Sequence, residues 1–172
     1  RNIKKSNHNY SPKITSDCTA EFNAAMSLHT DAKQLTRSFM DDVRLGRAID
    51  VKQVKNTVSA CVQSILQSPE ALLWMSKLRK KDKHEASHAL DVSLLAISFG
   101  RYLGVSEEDL HNLGIAGLLH DVGKMRIPNA LLQKNTPLNE QELTELRLHP
   151  LFGRQILMSH PDLYHGAVDV AY

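Results

Sequence analysis

A chain of 172 residues with 42% hydrophobic and 23% charged positions has the length and composition of one globular domain, or of one domain with an appendage. A net charge of only +2 with neutral histidines excludes a surface built to wrap a DNA or RNA polymer, and equally an acidic solvating tail. No apolar run reaches the roughly 20 residues of a membrane-spanning helix, the N-terminus has no short apolar leader, and Cys18 and Cys61 stand far apart without finger-like spacing. The expectation is a cytoplasmic protein with no membrane partner, its two thiols serving as apolar fillers in a reducing compartment.

Residues 1–16, RNIKKSNHNYSPKITS, carry four basic residues and little that is apolar, and read as a linker or tail. An N-terminal helical region follows over 17–83. From Asp17, the stripe Leu28, Ala32, Leu35, Phe39 and Val43 advances by threes and fours, the period of an amphipathic helix, and Gly46 stops it. A helix over 17–45 either packs on its own bundle or pairs with a second copy, and a homodimer through it is the reading taken. Asp50 is placed to cap a second helix with Val51, Val54, Val58, Cys61, Ile65 and Leu66 on one face. Pro69, just after Ser68, opens a third helical stretch.

The unit at 84–172 begins with the longest regular pattern, HEASHALDVSLLAISFGRYLG, where Val92, Leu95, Ala96, Phe99 and Leu103 mark one face and Gly104 supplies a left-handed stop. Ser106 caps the next helix, whose Leu110, Leu113, Ala116, Gly117 and Leu119 predict a tightly packed inner element ending near Gly123. IPNALLQK reads as a turn plus a short helix, Asn139 with Glu142 as a capping box, and Pro150 as an interruption or restart before two more helical pieces. No stretch alternates as a half-buried strand does, so the fold class is all-α.

Nine histidines are numerous for this length, and three of them fall where chemistry is conceivable. In GLLHDVGKMRIPN, residues 117–129, His120 and Asp121 are adjacent and Lys124 lies one turn on. Neighbouring helical residues point about 100° apart, so an imidazole and a carboxylate at such a pair can border one cavity from two directions. A carboxylate can join two cations while an imidazole holds one, which is how two-metal hydrolases clamp a phosphate. The competing reading is a helix C-terminus where His and Lys answer the negative end of the dipole. His88 on the preceding helix and His149 on the following one could each add an imidazole, and His149 precedes Pro150, which biases it towards a helix end.

His88, the HD-x-GK block at 120–124, IPNALLQK and LRLHPLFGRQIL together resemble the first half of an HD-GYP domain, and the spacing between the blocks fits that family too. Residues 31–83 resemble the helical run before the HD region in members with an extra N-terminal module. The resemblance implies an HD-type helical bundle with an amphipathic N-terminal extension, acting in the intact protein as a metal-dependent hydrolase of a cyclic dinucleotide. Cyclic di-GMP is the first candidate substrate and cyclic GMP-AMP the second. It further implies two divalent ions, iron or manganese. His88, His120 and Asp121 would hold one, Asp121 and His149 the other, and Lys124 would touch the scissile phosphate as a hydroxide bridging the ions attacks phosphorus in line. The position at which some relatives bind a third ion is His84 here, with Glu85 beside it, which argues against a third metal.

The family's paired His-His-Glu, later Asp ligand and GYP tripeptide are not within these 172 residues, so the domain reads as C-terminally incomplete. That keeps open a second class of function, a catalytically inactive signalling or scaffold module. His160 and His165 fall in a variable connection of the family and are expected to be surface residues.

Overall fold

The computed structural model describes residues 16–68 and 85–172. The tail before Ser16, the helical stretch expected from Pro69, His84 and the side chain of Cys18 lie outside the described residues.

Local signals set the helix ends. α1 (Ser16–Arg44) is closed by Gly46 at φ +76°, and α3 (Glu85–Leu103) by Gly104 at φ +73°, left-handed positions that a residue with a Cβ rarely adopts. α2 (Val51–Gln67) starts where Asp50 accepts from the Gln53 amide at 2.9 Å, and α4 (Glu107–Leu119) where Ser106 accepts from Asp109 at 3.1 Å. A 3₁₀ helix (Val122–Arg126) and the single turn α5 (Asn129–Leu132) follow. α6 (Glu140–Leu146) carries the full capping box: Asn139 accepts from the Glu142 amide, and Glu142 accepts from the Asn139 amide, each at 2.9 Å. α7 (His149–Met158) restarts on Pro150, and α8 (His165–Ala171) ends the described chain. All regular structure among the described residues is helical, and no helix there is long and apolar enough to cross a membrane.

α4 is the central element, packed against α2, α3 and α8, while α7 lies on the 3₁₀ helix and on α8. Its run Gly114–Leu119 is buried throughout, with Leu118 and Leu119 fully inaccessible. Each such leucine contributes about 1.5–3 kcal/mol through burial, so the end of α4 is firmly anchored. α1 and α2 join the same core: Phe39, Met40 and Val43 of α1 and Val54, Val58, Cys61 and Ile65 of α2 are continuous with Leu90, Leu94, Ile97 and Leu118. Burial pushes the Cys61 thiol up to about 12, so it behaves as the expected apolar filler.

Three details differ from the sequence reading. The buried face of α1 is Ala25, His29, Ala32, Thr36, Phe39, Met40 and Val43, with Leu28 and Leu35 only half-buried at its edge. In α3 the expected face points outward: Leu95, Phe99 and Leu103 are 57%, 61% and 59% exposed, while Ala86, Ala89, Leu90, Ser93, Leu94, Ile97 and Gly100 are buried. α3 is apolar on two sides, so periodicity alone cannot choose between them. Close packing decides: the small face lets α3 settle onto α4, where Ser93 Oγ donates to the Gly114 carbonyl at 2.8 Å. Finally, α4 stops at Leu119 rather than near Gly123, and the chain turns at His120 and Asp121 before the 3₁₀ helix.

Candidate metal centre

That turn is what aims the site. His120 is the C-cap of α4 and Asp121 the N-cap of the 3₁₀ helix, so the two adjacent side chains leave the backbone at a bend between anchored elements. α7 begins at His149 and is pressed against this bend. A Cβ added at Gly123 would overlap the carbonyl oxygen of His149 and the amide nitrogen of Gly153. Only glycine permits that approach, and the approach brings His149 alongside Asp121.

Asp121 is the hub. Its Oδ2 lies 3.0 Å from His120 Nε2, 3.7 Å from His88 Nε2 and 2.6 Å from Lys124 Nζ, and its Oδ1 lies 3.6 Å from His149 Nε2. His88, on α3, meets His120 ring edge to face with centroids 5.3 Å apart. All five residues expected at the site thus come together, and ligand atoms of His88, His120 and Asp121 lie within 4.8 Å of one another.

Two backbone carbonyls orient the imidazoles. His120 Nδ1 donates to Gly117 O and His149 Nδ1 donates to Leu146 O, each at 2.8 Å. A carbonyl only accepts, so the proton on Nδ1 is fixed and Nε2 is the nitrogen turned to Asp121. This is the outer-sphere arrangement that holds a metal-binding histidine in its tautomer. The donor set of imidazole nitrogens around a carboxylate with both oxygens engaged fits a divalent transition metal.

Charge reinforces the cluster. Although burial works against its ionised form, Asp121 has its carboxyl held well below the usual carboxylate range by hydrogen bonds from His120 and Lys124. His120 is raised above its ordinary value, first by its hydrogen bond to Asp121, with burial opposing. Lys124 is raised as well: burial lowers it, but Asp121 and then Glu85 more than offset that.

Sequence reasoning missed several parts of the corner. Glu85, to which sequence assigns no contact with Lys124, approaches that lysine with Oε2 3.6 Å from Nζ. The orienting carbonyls of Gly117 and Leu146 each sit three residues before their histidine, a bond that only the local backbone geometry reveals. Of the two histidines expected at the surface, His165 is exposed, but His160 is half-buried. Its Nδ1 bonds the Ile156 carbonyl at 2.9 Å, and its Nε2 accepts from the Ile49 amide at 3.0 Å.

Known proteins share the sequence pattern and the fold of this chain. A family model described as HD domain matches residues 66–171. The cyclic di-GMP phosphodiesterase PA4108 of Pseudomonas aeruginosa is 33% identical over 150 residues, spanning 87% of this chain and 36% of that protein. The 3'3'-cGAMP-specific phosphodiesterase 3 of Vibrio cholerae is 35% identical over 77 residues, 45% of this chain and 17% of that protein. The chain therefore spans about a third or less of the length of these relatives. Among solved structures, Bd1817, an HDG"Y"P protein from Bdellovibrio bacteriovorus, shares the fold with a TM-score of 0.72 over 94% of this chain and 52% of that one, at 19% identity. With the HD model matching more than half of its length and cyclic dinucleotide phosphodiesterases among its relatives, the chain belongs to the HD domain family, in its HD-GYP branch.

Proposed function

We propose that this chain contributes metal-binding residues to a phosphodiesterase that opens a cyclic dinucleotide to its linear product, with cyclic di-GMP the first substrate to try and cyclic GMP-AMP the second. The observation that carries the reading is the convergence of three imidazole Nε2 atoms, from three separate elements, on the two oxygens of Asp121. The printed activities of the relatives from Pseudomonas aeruginosa and Vibrio cholerae support the substrate class.

In this reading His88, His120 and Asp121 would hold one divalent ion and Asp121 and His149 a second, iron or manganese in either case. Such ions supply Lewis-acid neutralisation of the phosphate and an activated water. The chain's own residues do the rest. Gly117 and Leu146 hold the two imidazoles in register, the depressed pKa of Asp121 keeps it ionised throughout the physiological range, and Lys124 offers an ammonium to a non-bridging phosphate oxygen. The 84–172 unit would then be the catalytic portion and 17–83 the regulatory one. A homodimer through 17–45 would use the edge of α1 that the core leaves half-covered, with Leu28 and Leu35.

The test is incubation of the full-length protein with each cyclic dinucleotide under reducing conditions with Fe²⁺ or Mn²⁺, followed by separation of linear product. Asp121→Ala should abolish both bound metal and product. Hydrolysis that survives the substitution, or an intact protein that takes up neither metal, contradicts the reading.

A further inference from the structure

Asp121 Oδ2 already has two neighbours at hydrogen-bond distance. Lys124 Nζ lies on it at 2.6 Å, ahead of His120 at 3.0 Å and His88 at 3.7 Å. A divalent ion held by those two imidazoles and that oxygen would need to approach the oxygen to about 2 Å. The ammonium and the ion would then be only a few ångströms apart, in a corner where Asp121 is 13% and Lys124 23% exposed, so water screens their repulsion poorly. Lys124 springs from the 3₁₀ helix, three residues from Asp121, and its backbone is fixed there by the packing of Gly123 on α7. Its ammonium can swing but cannot go far.

One other carboxylate is already within reach. Glu85 opens α3 one turn before His88, is 28% exposed, and has Oε2 3.6 Å from Lys124 Nζ. We propose that Lys124 and Glu85 form an exchange pair: Lys124 is an internal counter-ion of Asp121 that an incoming metal displaces, and Glu85 is the positioning residue that receives the displaced ammonium and keeps it beside the site. The inference rests on the reading that this corner binds a divalent ion. It adds a role for Glu85 that is not ligation: Glu85 acts on the metal through Lys124. It also gives the lysine a defined place from which to meet a phosphate once Asp121 belongs to the metal.

The consequence is a specific coupling, readable as Mn²⁺ affinity of this chain by titration with electron paramagnetic resonance of free Mn²⁺. Lys124→Met removes the competitor and should tighten Mn²⁺ roughly tenfold, while Glu85→Gln strands the ammonium near the ion and should weaken Mn²⁺ roughly threefold. In Lys124→Met the Glu85→Gln change should shift affinity by less than about twofold, since no ammonium remains to be received. Glu85→Asp, which keeps the charge, should lie near wild type. An unchanged affinity in Glu85→Gln, or the same weakening with and without Lys124, overturns the exchange pair. Mn²⁺ binding that persists in Asp121→Asn instead refutes the metal reading beneath it, so the two failures are distinguishable.

Discussion

The two ends of α7 carry the same dipeptide and do different things. His149-Pro150 opens the helix and His160-Pro161 lies just past its close. In both, Nδ1 is tied to a nearby carbonyl, Leu146 O at one end and Ile156 O at the other, which leaves Nε2 to face outward. At the first end Nε2 meets a carboxylate oxygen of Asp121, at the second the amide of Ile49 in the α1–α2 connection. The sequence feature prepares an imidazole acceptor. The partner decides whether it is a candidate ligand or a strut between helices.

The largest effect should come from breaking the geometry that gives His149 its partner. Gly123→Ala sets a methyl group against the backbone of His149 and Gly153, neither of which can move aside without shifting α7. A loss of about 3 kcal/mol or more in unfolding free energy, measured by denaturant titration, is expected, together with weakened Mn²⁺ binding.

A crossed pair of substitutions tests the comparison itself. His149→Ala should weaken Mn²⁺ roughly tenfold and cost less than about 1 kcal/mol of stability, because the half-buried residue gives up one hydrogen bond, to the Leu146 carbonyl, while its Nε2 only approaches the Asp121 carboxylate. His160→Ala should do the reverse. It strips the Ile49 amide of its acceptor, at about 1–2 kcal/mol and a few degrees in Tm, without altering Mn²⁺ affinity. If both substitutions acted on metal and stability alike, the distinction between the two ends would collapse.

Proton competition should be smaller and graded. His120 Nδ1 already carries a proton for Gly117, and the raised pKa means that Asp121 also favours a proton on Nε2, the position a metal needs. Mn²⁺ affinity should therefore fall as pH drops through a value above the ordinary 6.5 of histidine, by up to about tenfold per pH unit for the one proton displaced. Asp121, held ionised, adds no proton in that window. The smallest effect concerns the core beneath: Cys61, with its thiol pushed up to about 12, should resist iodoacetamide at pH 8 until the chain unfolds, as mass mapping of the labelled peptide would record.

How much of this was legible in the sequence depends on how local the signal is. Asp50, Ser106 and Asn139 announced their helices because a cap is a bond between near neighbours. The site residues were legible as a set of motif positions. The outward face of α3 was not, because Leu95, Phe99 and Leu103 satisfy helical periodicity as well as the buried face does, and only packing against α4 separates them. His160 was misplaced for a related reason: its partner Ile49 is 111 residues away, and no pattern near His160-Pro161 points to it. Glu85 and Lys124, 39 positions apart, likewise meet only in the fold.

The central claim, that Asp121 gathers His88, His120 and His149 into a divalent metal site, is tested most directly by paramagnetic broadening. Substoichiometric Mn²⁺ added to histidine-labelled protein should broaden the imidazole resonances of His88, His120 and His149 first, leave those of His160 and His165 sharp, and have no such effect in Asp121→Asn. Broadening centred on His160 or His165, or a pattern that survives Asp121→Asn, would contradict the account.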